Sequence, residues 1–518
     1  MTISRPEQSV TASFRDVPNN TNKYWWFDAS LRINVLHCVG LCGTLFFNGY
    51  DGSLFNGLQS ISQWQEYFGY PDPSTLGLMN SAGFLPGLIA SFFGDAIARY
   101  LGRRWSVWIG SMITAVGAIV MGISANVGVF CAGRAITGFG TSTAVAVAPT
   151  LLQEISHPRI RAQVSGFYTC IYYIAAILSA CVCLGCMNLV GENSWRIPCF
   201  LQLVGPIATL LLTVTIPESP RWLILHGHHE KARKILVVHH ANGKDDDPLV
   251  NLEYREICAA LDEEAVKKQT RYLDLVRGRG NIHRLAIALI IAVGTNWVGN
   301  GIVSYYLSPI LASLGIHSTS TQLEILIGLH VWNLIVSTLA AFYADHVGRR
   351  PLWLSSTGGM LVMFCIVMGL SAGYDKTQNT AIGAAAIPFL FLFYGAYDLA
   401  WTPLAYSYPV EIFPFSLRTK GQAIFIATQT LAVSVNTWVN PIALDALEWR
   451  YYAVYIAILA VLLVVIYFLF PETKNLTLEE ISLVFDKESA VKAARESPSA
   501  DVERVLSIRE DSADKTSE

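Results

Sequence analysis

Apolar runs of membrane length recur along this chain and limit its folding more than any other feature. A helix rises 1.5 Å per residue, so about twenty apolar residues cross a hydrocarbon core of about 30 Å. Such runs read at 33–59, 76–98, 105–124, 127–150, 163–188 and 197–217. After a polar stretch, six more read at 283–311, 323–344, 352–372, 381–408, 422–443 and 451–470. Lipid offers no partner for backbone N–H and C=O groups, so segments of this length span as helices. The pattern predicts an all-α polytopic membrane protein with twelve transmembrane helices in two six-helix halves. Composition agrees: 53% of the 518 residues are hydrophobic and 14% charged, against about 25% charged in soluble proteins.

The cations sort to one side. Short loops hold Arg99, Arg103, Arg104, Arg159, Arg161, Arg349, Arg350, Arg418 and Lys420, and the long middle loop adds more. The opposite loops carry Arg196, Lys376 and Arg450. The positive-inside rule then places both termini and the middle loop in the cytoplasm. The expected divisions are a cytoplasmic tail at 1–32, a six-helix half at 33–217, a cytoplasmic helical loop at 218–282, a second half at 283–470 and a cytoplasmic tail at 471–518. The first thirty residues are polar and lack the apolar core of a cleavable signal. HHEKARKILVVHH and EYREICAALDEEAVKKQ in the loop pattern as short amphipathic helices.

Several classes are excluded by what the residues do not form. No basic stripe with interleaved aromatics supports nucleic-acid binding. The cysteines lie mostly in or beside apolar segments, and the cluster Cys181, Cys183, Cys186 lacks a histidine, so no metal site is expected. No phosphate-cradling loop or nucleophile elbow is present, so neither catalytic residues nor a cofactor is expected. The partner these segments require is the lipid bilayer.

The two halves repeat. GRRWSVWIG at Gly102 echoes GRRPLWLSS at Gly348. Glu154 precedes Arg161 by seven residues, and Glu411 precedes Arg418 by seven. PESP at Pro217 is matched by PET at Pro471. Parallel repeats imply a pseudo-two-fold axis along the membrane normal and a site near the midplane. The cytoplasmic charges Arg103, Arg104, Glu154, Arg161, Glu218, Arg221, Asp345, Arg349, Glu411, Arg418 and Glu472 would form a gate that latches the halves, or anchors that hold helix ends at the interface. Exposed pairs contribute about 0–1 kcal/mol each, but networks add.

Inside the first run, FFNGYDGSLFNGLQ carries Asp51. An intramembrane carboxylate costs several kcal/mol unless it lines water or meets a partner, so it marks a functional site. At 100° per residue Asn48, Asp51, Gly52, Phe55 and Gln59 share a face, which reads as a pathway wall or as a helix contact. His37, His330 and a second intramembrane acid, Asp398, also lie on apolar segments.

PESPRWL at Pro217, DHVGRR at Asp345, PVEIFPFSLRTKG at Pro409, PETKNLTLEEI at Pro471 and GRAITGFG at Gly133 resemble the sugar porter family of the major facilitator superfamily. GYDGSLFNGLQ, WVGNGIVSYYL and AWTPLAYSYPVE resemble its fungal lactose-permease-like and hexose-transporter branch. The resemblance implies the major facilitator fold, alternating-access sugar transport and, in many members, a coupled proton. It assigns proton coupling to Asp51 with Arg134, and sugar contacts to Gln429, Trp401, Tyr305 and Tyr306. This chain departs from the family at Thr295-Asn296, where many members have Gln-Gln, at Gly301 with Asn300 beside it, and at Thr169. It departs again at Arg99, where Asp95 one helical turn back could take the acidic role.

Amides suit sugars because each offers donors and an acceptor. Asn296, Asn300 and Gln429 are therefore the expected amide contacts, with Thr169 and Thr295 as hydroxyls. Trp401 would stack on a pyranose face, or serve as a core aromatic. Asn436 and Asn440 read as packing or cap residues. The function expected is transport of a hexose or disaccharide by proton symport, in a multi-pass protein of the plasma membrane. A sugar sensor without transport, or a carrier of a polyol, sugar acid or secondary metabolite, is the alternative.

Overall fold

The computed structural model describes residue 17, residues 24–267 and 271–474, and residues 481, 484 and 485. Among these the regular structure is helical, with no strand. Ten stretches are long and apolar enough to cross a membrane, and the last, Lys420–Leu469, spans two helices, Phe415–Leu447 and Tyr451–Leu469. The remaining expected segment, 76–98, is not one helix. It divides into Pro73–Ser81 and Gly87–Tyr100, each too short to qualify alone. Pro86 stands at the start of the second piece, where a missing N–H costs least.

Other spans are broken where their sequences supply a reason. Segment four is Val127–Val145 followed by Ala148–Ile155, with Pro149 opening the second piece. Segment ten matches it, as Thr380–Ala400 and Leu404–Ile412 with Pro403 between. Segment six is Asn193–Leu201 and Val204–Leu212. Segment seven is Arg279–Trp297 and Asn300–Ser313, interrupted at Gly299 in the left-handed region at φ 101°. In transporters, discontinuous helices present unwound backbone and helix ends to a solute.

The chain forms two compact units. The first comprises residues 1–70 and 82–266, the second residues 71–81 and 267–518. The second segment is thus shared, its first piece belonging to the second unit. In the first unit, the helix Ala29–Ser60 runs along Arg161–Cys186 and also meets Val204–Leu212. Gly49 and Gly52 make the close approach possible, because a Cβ on either would meet Tyr172. In the second unit, Arg349–Thr377 packs on Thr380–Ala400 and Tyr451–Leu469, and Phe415–Leu447 packs on Arg279–Trp297 and Pro73–Ser81.

The stretch expected as a helical loop holds Pro220–Leu225, His229–His240 and Pro248–Lys267. Their apolar faces form small cores around Leu223, Ile224, Ala232 and Leu261, and around Leu236, Val237, Ala241 and Val250.

Candidate functional site

In the first unit, Asp51 meets two donors. Arg134 Nη1 lies 3.4 Å from Asp51 Oδ1, and Gln202 Nε2 donates to the same oxygen at 2.9 Å. Arg134 is 1% exposed. Its guanidinium sits 4.7 Å above the Phe55 ring, one turn along from Asp51. A Cβ on Gly83 would come within 2.8 Å of an Arg134 nitrogen, so the backbone at the break in segment two closes on the arginine. A Cβ on Gly138 would in turn overlap the Gly83 carbonyl. A buried charge without a partner is expensive, so the carboxylate, the ring face and the glycine cradle together are what let Arg134 stand here.

In the second unit, the amides and hydroxyls expected to bind sugar gather beside the break in segment seven. Gln429 Nε2 donates to Thr295 Oγ1 at 3.2 Å, and Asn296 Nδ2 lies 3.2 Å from the same oxygen. Tyr406, which sequence reasoning did not single out, donates its hydroxyl to Gln429 Oε1 at 3.0 Å. Asn300 follows Gly299, and its Oδ1 is buried without a hydrogen-bond partner. A Cβ on Gly301 would run into the Asn436 side chain. Asn436 belongs to a buried net in which Asn440 donates to it at 3.0 Å and Tyr451 donates to Asn440 at 2.9 Å.

Two expected contacts lie elsewhere. Trp401 is 1% exposed, edge-on to Trp353 at 4.7 Å, with its indole N–H on Thr357 Oγ1 at 3.3 Å. A Cβ on Gly294 would meet its ring. It is a core aromatic behind Thr295 and presents no open face for stacking. Tyr306 is fully buried at a kink in its helix, and its hydroxyl accepts from Asn80 at 3.0 Å and donates to the Thr437 carbonyl. It ties helices together. Tyr305 is half-buried. The Thr169 side chain lies outside the described ones.

The cytoplasmic charges form matching clusters, one in each unit. Arg103 Nε pairs with Glu154 at 2.9 Å, and Arg349 Nη2 with Glu411 at 3.2 Å. Glu218 accepts the Arg103 backbone N–H at 2.9 Å, and Glu472 accepts that of Arg349 at 2.9 Å. Ser219 donates to Glu154, and Thr473 to Glu411. Gly102 and Gly348, at φ 112° and 107°, turn the chain so that each carboxylate reaches the start of the following helix. Arg104 donates to the Ile216 and Val214 carbonyls, and Arg350 to that of Tyr467. Each of these contacts joins residues of the same unit. The Asp345 side chain lies outside the described ones. Asp95 pairs with Arg99 at 2.8 Å on an exposed turn.

The sequence pattern of the sugar (and other) transporter family matches residues 36–485. The chain belongs to that family. It is 30% identical over 455 residues to the MFS-type transporter oryC of Aspergillus oryzae, covering 86% of this chain and 84% of that protein. It is 27% identical to a high-affinity glucose transporter of Kluyveromyces lactis, covering 90% and 87%. Among solved structures it is similar to an inward open form of the xylose transporter XylE from E. coli, at TM-score 0.72 and 22% identity, over 87% of this chain and 99% of that one. The fold is that of this transporter superfamily, and the protein is a multi-pass membrane transporter, not an enzyme.

For this transporter, residues that sequence reasoning missed surround the ones it found. Gln202 is 1% exposed on an apolar segment, and a buried amide there was a legible signal. Arg161 bonds a loop residue, Glu253, at 3.0 Å. Glu253 also receives His240 Nδ1 at 2.7 Å, while His240 Nε2 faces the Ile155 carbonyl at 3.1 Å. Burial opposes charge on His240, but Glu253 outweighs it and holds the ring above the ordinary histidine range. Burial likewise opposes charge on Glu253, and His240 and Arg161 hold it below the ordinary carboxylate range. His157, ring to ring with His240 at 5.2 Å, is pushed down to about 3 by burial and by His240. His37 bonds Thr215 Oγ1 at 2.9 Å, His330 is buried, and Asp398, fully buried, accepts from Thr402 at 2.6 Å.

Proposed function

We propose that this protein carries a hexose or disaccharide across the plasma membrane by alternating access, coupled to a proton on Asp51. The observation that carries the reading is a half-buried carboxylate held by a buried arginine inside a membrane span. Uniport does not require such a pair, whereas a proton carrier needs an acid whose partner can answer its charge in one state and lose it in another. The similar glucose and xylose transporters favour a sugar.

Gln429, Asn296, Thr295 and Asn300 are the sugar contacts in this reading, with Tyr305 and Thr169 beside them. Trp401 and Tyr306 act as the wall behind them. Arg103, Glu154, Glu218, Arg349, Glu411 and Glu472 brace the cytoplasmic helix ends, with Arg104, Arg161, Arg221, Asp345 and Arg418 completing the gate, and both termini lie in the cytoplasm.

Uptake of radiolabelled mono- and disaccharides in a transport-deficient host, with and without a protonophore, tests this. Concentrative uptake of at least one sugar, collapsing with the protonophore, is expected. Uptake that never exceeds equilibrium removes the proton, and no uptake of any sugar removes the solute class.

A further inference from the structure

Gln202 stands at the break between Asn193–Leu201 and Val204–Leu212, fully buried, with its amide nitrogen on Asp51 Oδ1 at 2.9 Å. Its other polar atom, Oε1, is buried without a hydrogen-bond partner. A native protein rarely leaves a buried acceptor unanswered, and such an atom calls for an explanation. Asp51 supplies one if it changes protonation state. A carboxylate only accepts hydrogen bonds, whereas a carboxylic acid also donates one. Arg134 carries donors alone, so it cannot accept from the acid. A glutamine amide can do both, because turning it half-way about its last torsion, which is broad and two-fold, exchanges nitrogen for oxygen.

We infer that Gln202 is a positioning residue that reads the protonation state of Asp51. Its N–H₂ holds the carboxylate, and its carbonyl, swung into the same place, receives the O–H of the acid. The inference rests on Asp51 as the proton carrier. The step adds one proton from the aqueous phase to a carboxylate oxygen, forms one O–H bond and removes one negative charge. Release to the other aqueous phase reverses it. Because a bond to an ionised acceptor is stronger than one to a neutral acid, Gln202 also sets the pH at which Asp51 loads.

The test needs no knowledge of the solute. Full-length protein in lipid nanodiscs is titrated by pH-difference infrared spectroscopy, and Asp51→Asn identifies the carboxylic-acid band of Asp51. In Gln202→Met, which keeps length without polarity, the midpoint of that band is expected to rise by about one pH unit. Its carbonyl stretch should also move toward that of an unbonded acid. Gln202→Glu places a second carboxyl against Asp51, and the titration should split into two coupled steps. If Gln202→Met is not recovered folded, Gln202→Glu decides alone. An Asp51 band unmoved in midpoint and frequency by either substitution overturns the role of Gln202 and leaves Asp51 as carrier. If Asp51→Asn removes no titrating band, both readings fall.

Discussion

At the scale of single residues, the transporter turns on how a charge survives in a membrane. Arg134 is held by Asp51 on one side and by the Phe55 ring on the other. Asp51→Asn keeps the size of the side chain and removes its charge. It is expected to abolish uphill accumulation while sparing counterflow exchange of preloaded sugar, measured in vesicles. Normal accumulation in that variant would remove Asp51 from the coupling. This pair was legible in the sequence, since an aspartate in an apolar run and an arginine in GRAITGFG both break the rule that such segments are uncharged. Two other expected contacts were less legible. Trp401 and Tyr306 are amphipathic aromatics whose polar end can meet a ligand or a neighbouring helix equally well. Which of the two occurs depends on Thr357, Asn80 and Thr437, far away in sequence.

At the scale of elements, the repeated motifs become repeated caps. Glu218 and Glu472 each accept backbone N–H groups at the start of a long helix, where the helix dipole also favours a carboxylate. Glu218→Ala and Glu472→Ala are each expected to cost about 0.5–2 kcal/mol. The two losses should be similar because the two geometries are, and thermal midpoints of the purified protein check this. A second element-scale prediction concerns the docked loop. Both His240 nitrogens face acceptors, so the ring is charged where it binds. Its raised pKa means that its stabilisation is complete below the ordinary histidine value of 6.5 and is lost as pH rises through the raised value. His240→Gln should therefore lower the thermal midpoint most at about pH 6, with the gap to the natural protein narrowing as pH rises. Breaking a buried pair costs about 3–5 kcal/mol at its fullest. A gap that instead widens as pH rises would show that His240 is neutral when folded.

At the scale of the whole molecule, the energetics of the proposed symport set a ceiling. One proton moving down 100 mV contributes about 2.3 kcal/mol, and one pH unit about 1.4. Together these support an accumulation of a few hundred-fold for one proton per sugar. Accumulation measured at a known potential and pH gradient should approach that ceiling, and values far beyond it would require a second proton, for which Asp51 alone does not suffice. The helical membrane class and the repetition of its motifs were determined by the sequence itself, because a bilayer demands long apolar helices and duplicated motifs stay recognisable. Which helix ends the acids cap, and which polar residues meet one another, were decided only by the tertiary structure. Segment two reads as one continuous apolar run, yet it is split, with Gly83 close to Arg134 and Pro73–Ser81 packed on Phe415–Leu447. Gln202 reads as one polar residue among apolar ones until folding sets it against Asp51, 151 residues earlier. Such pairings arise between helices, and hydrophobic periodicity records only the face a helix buries, not the partner that meets it.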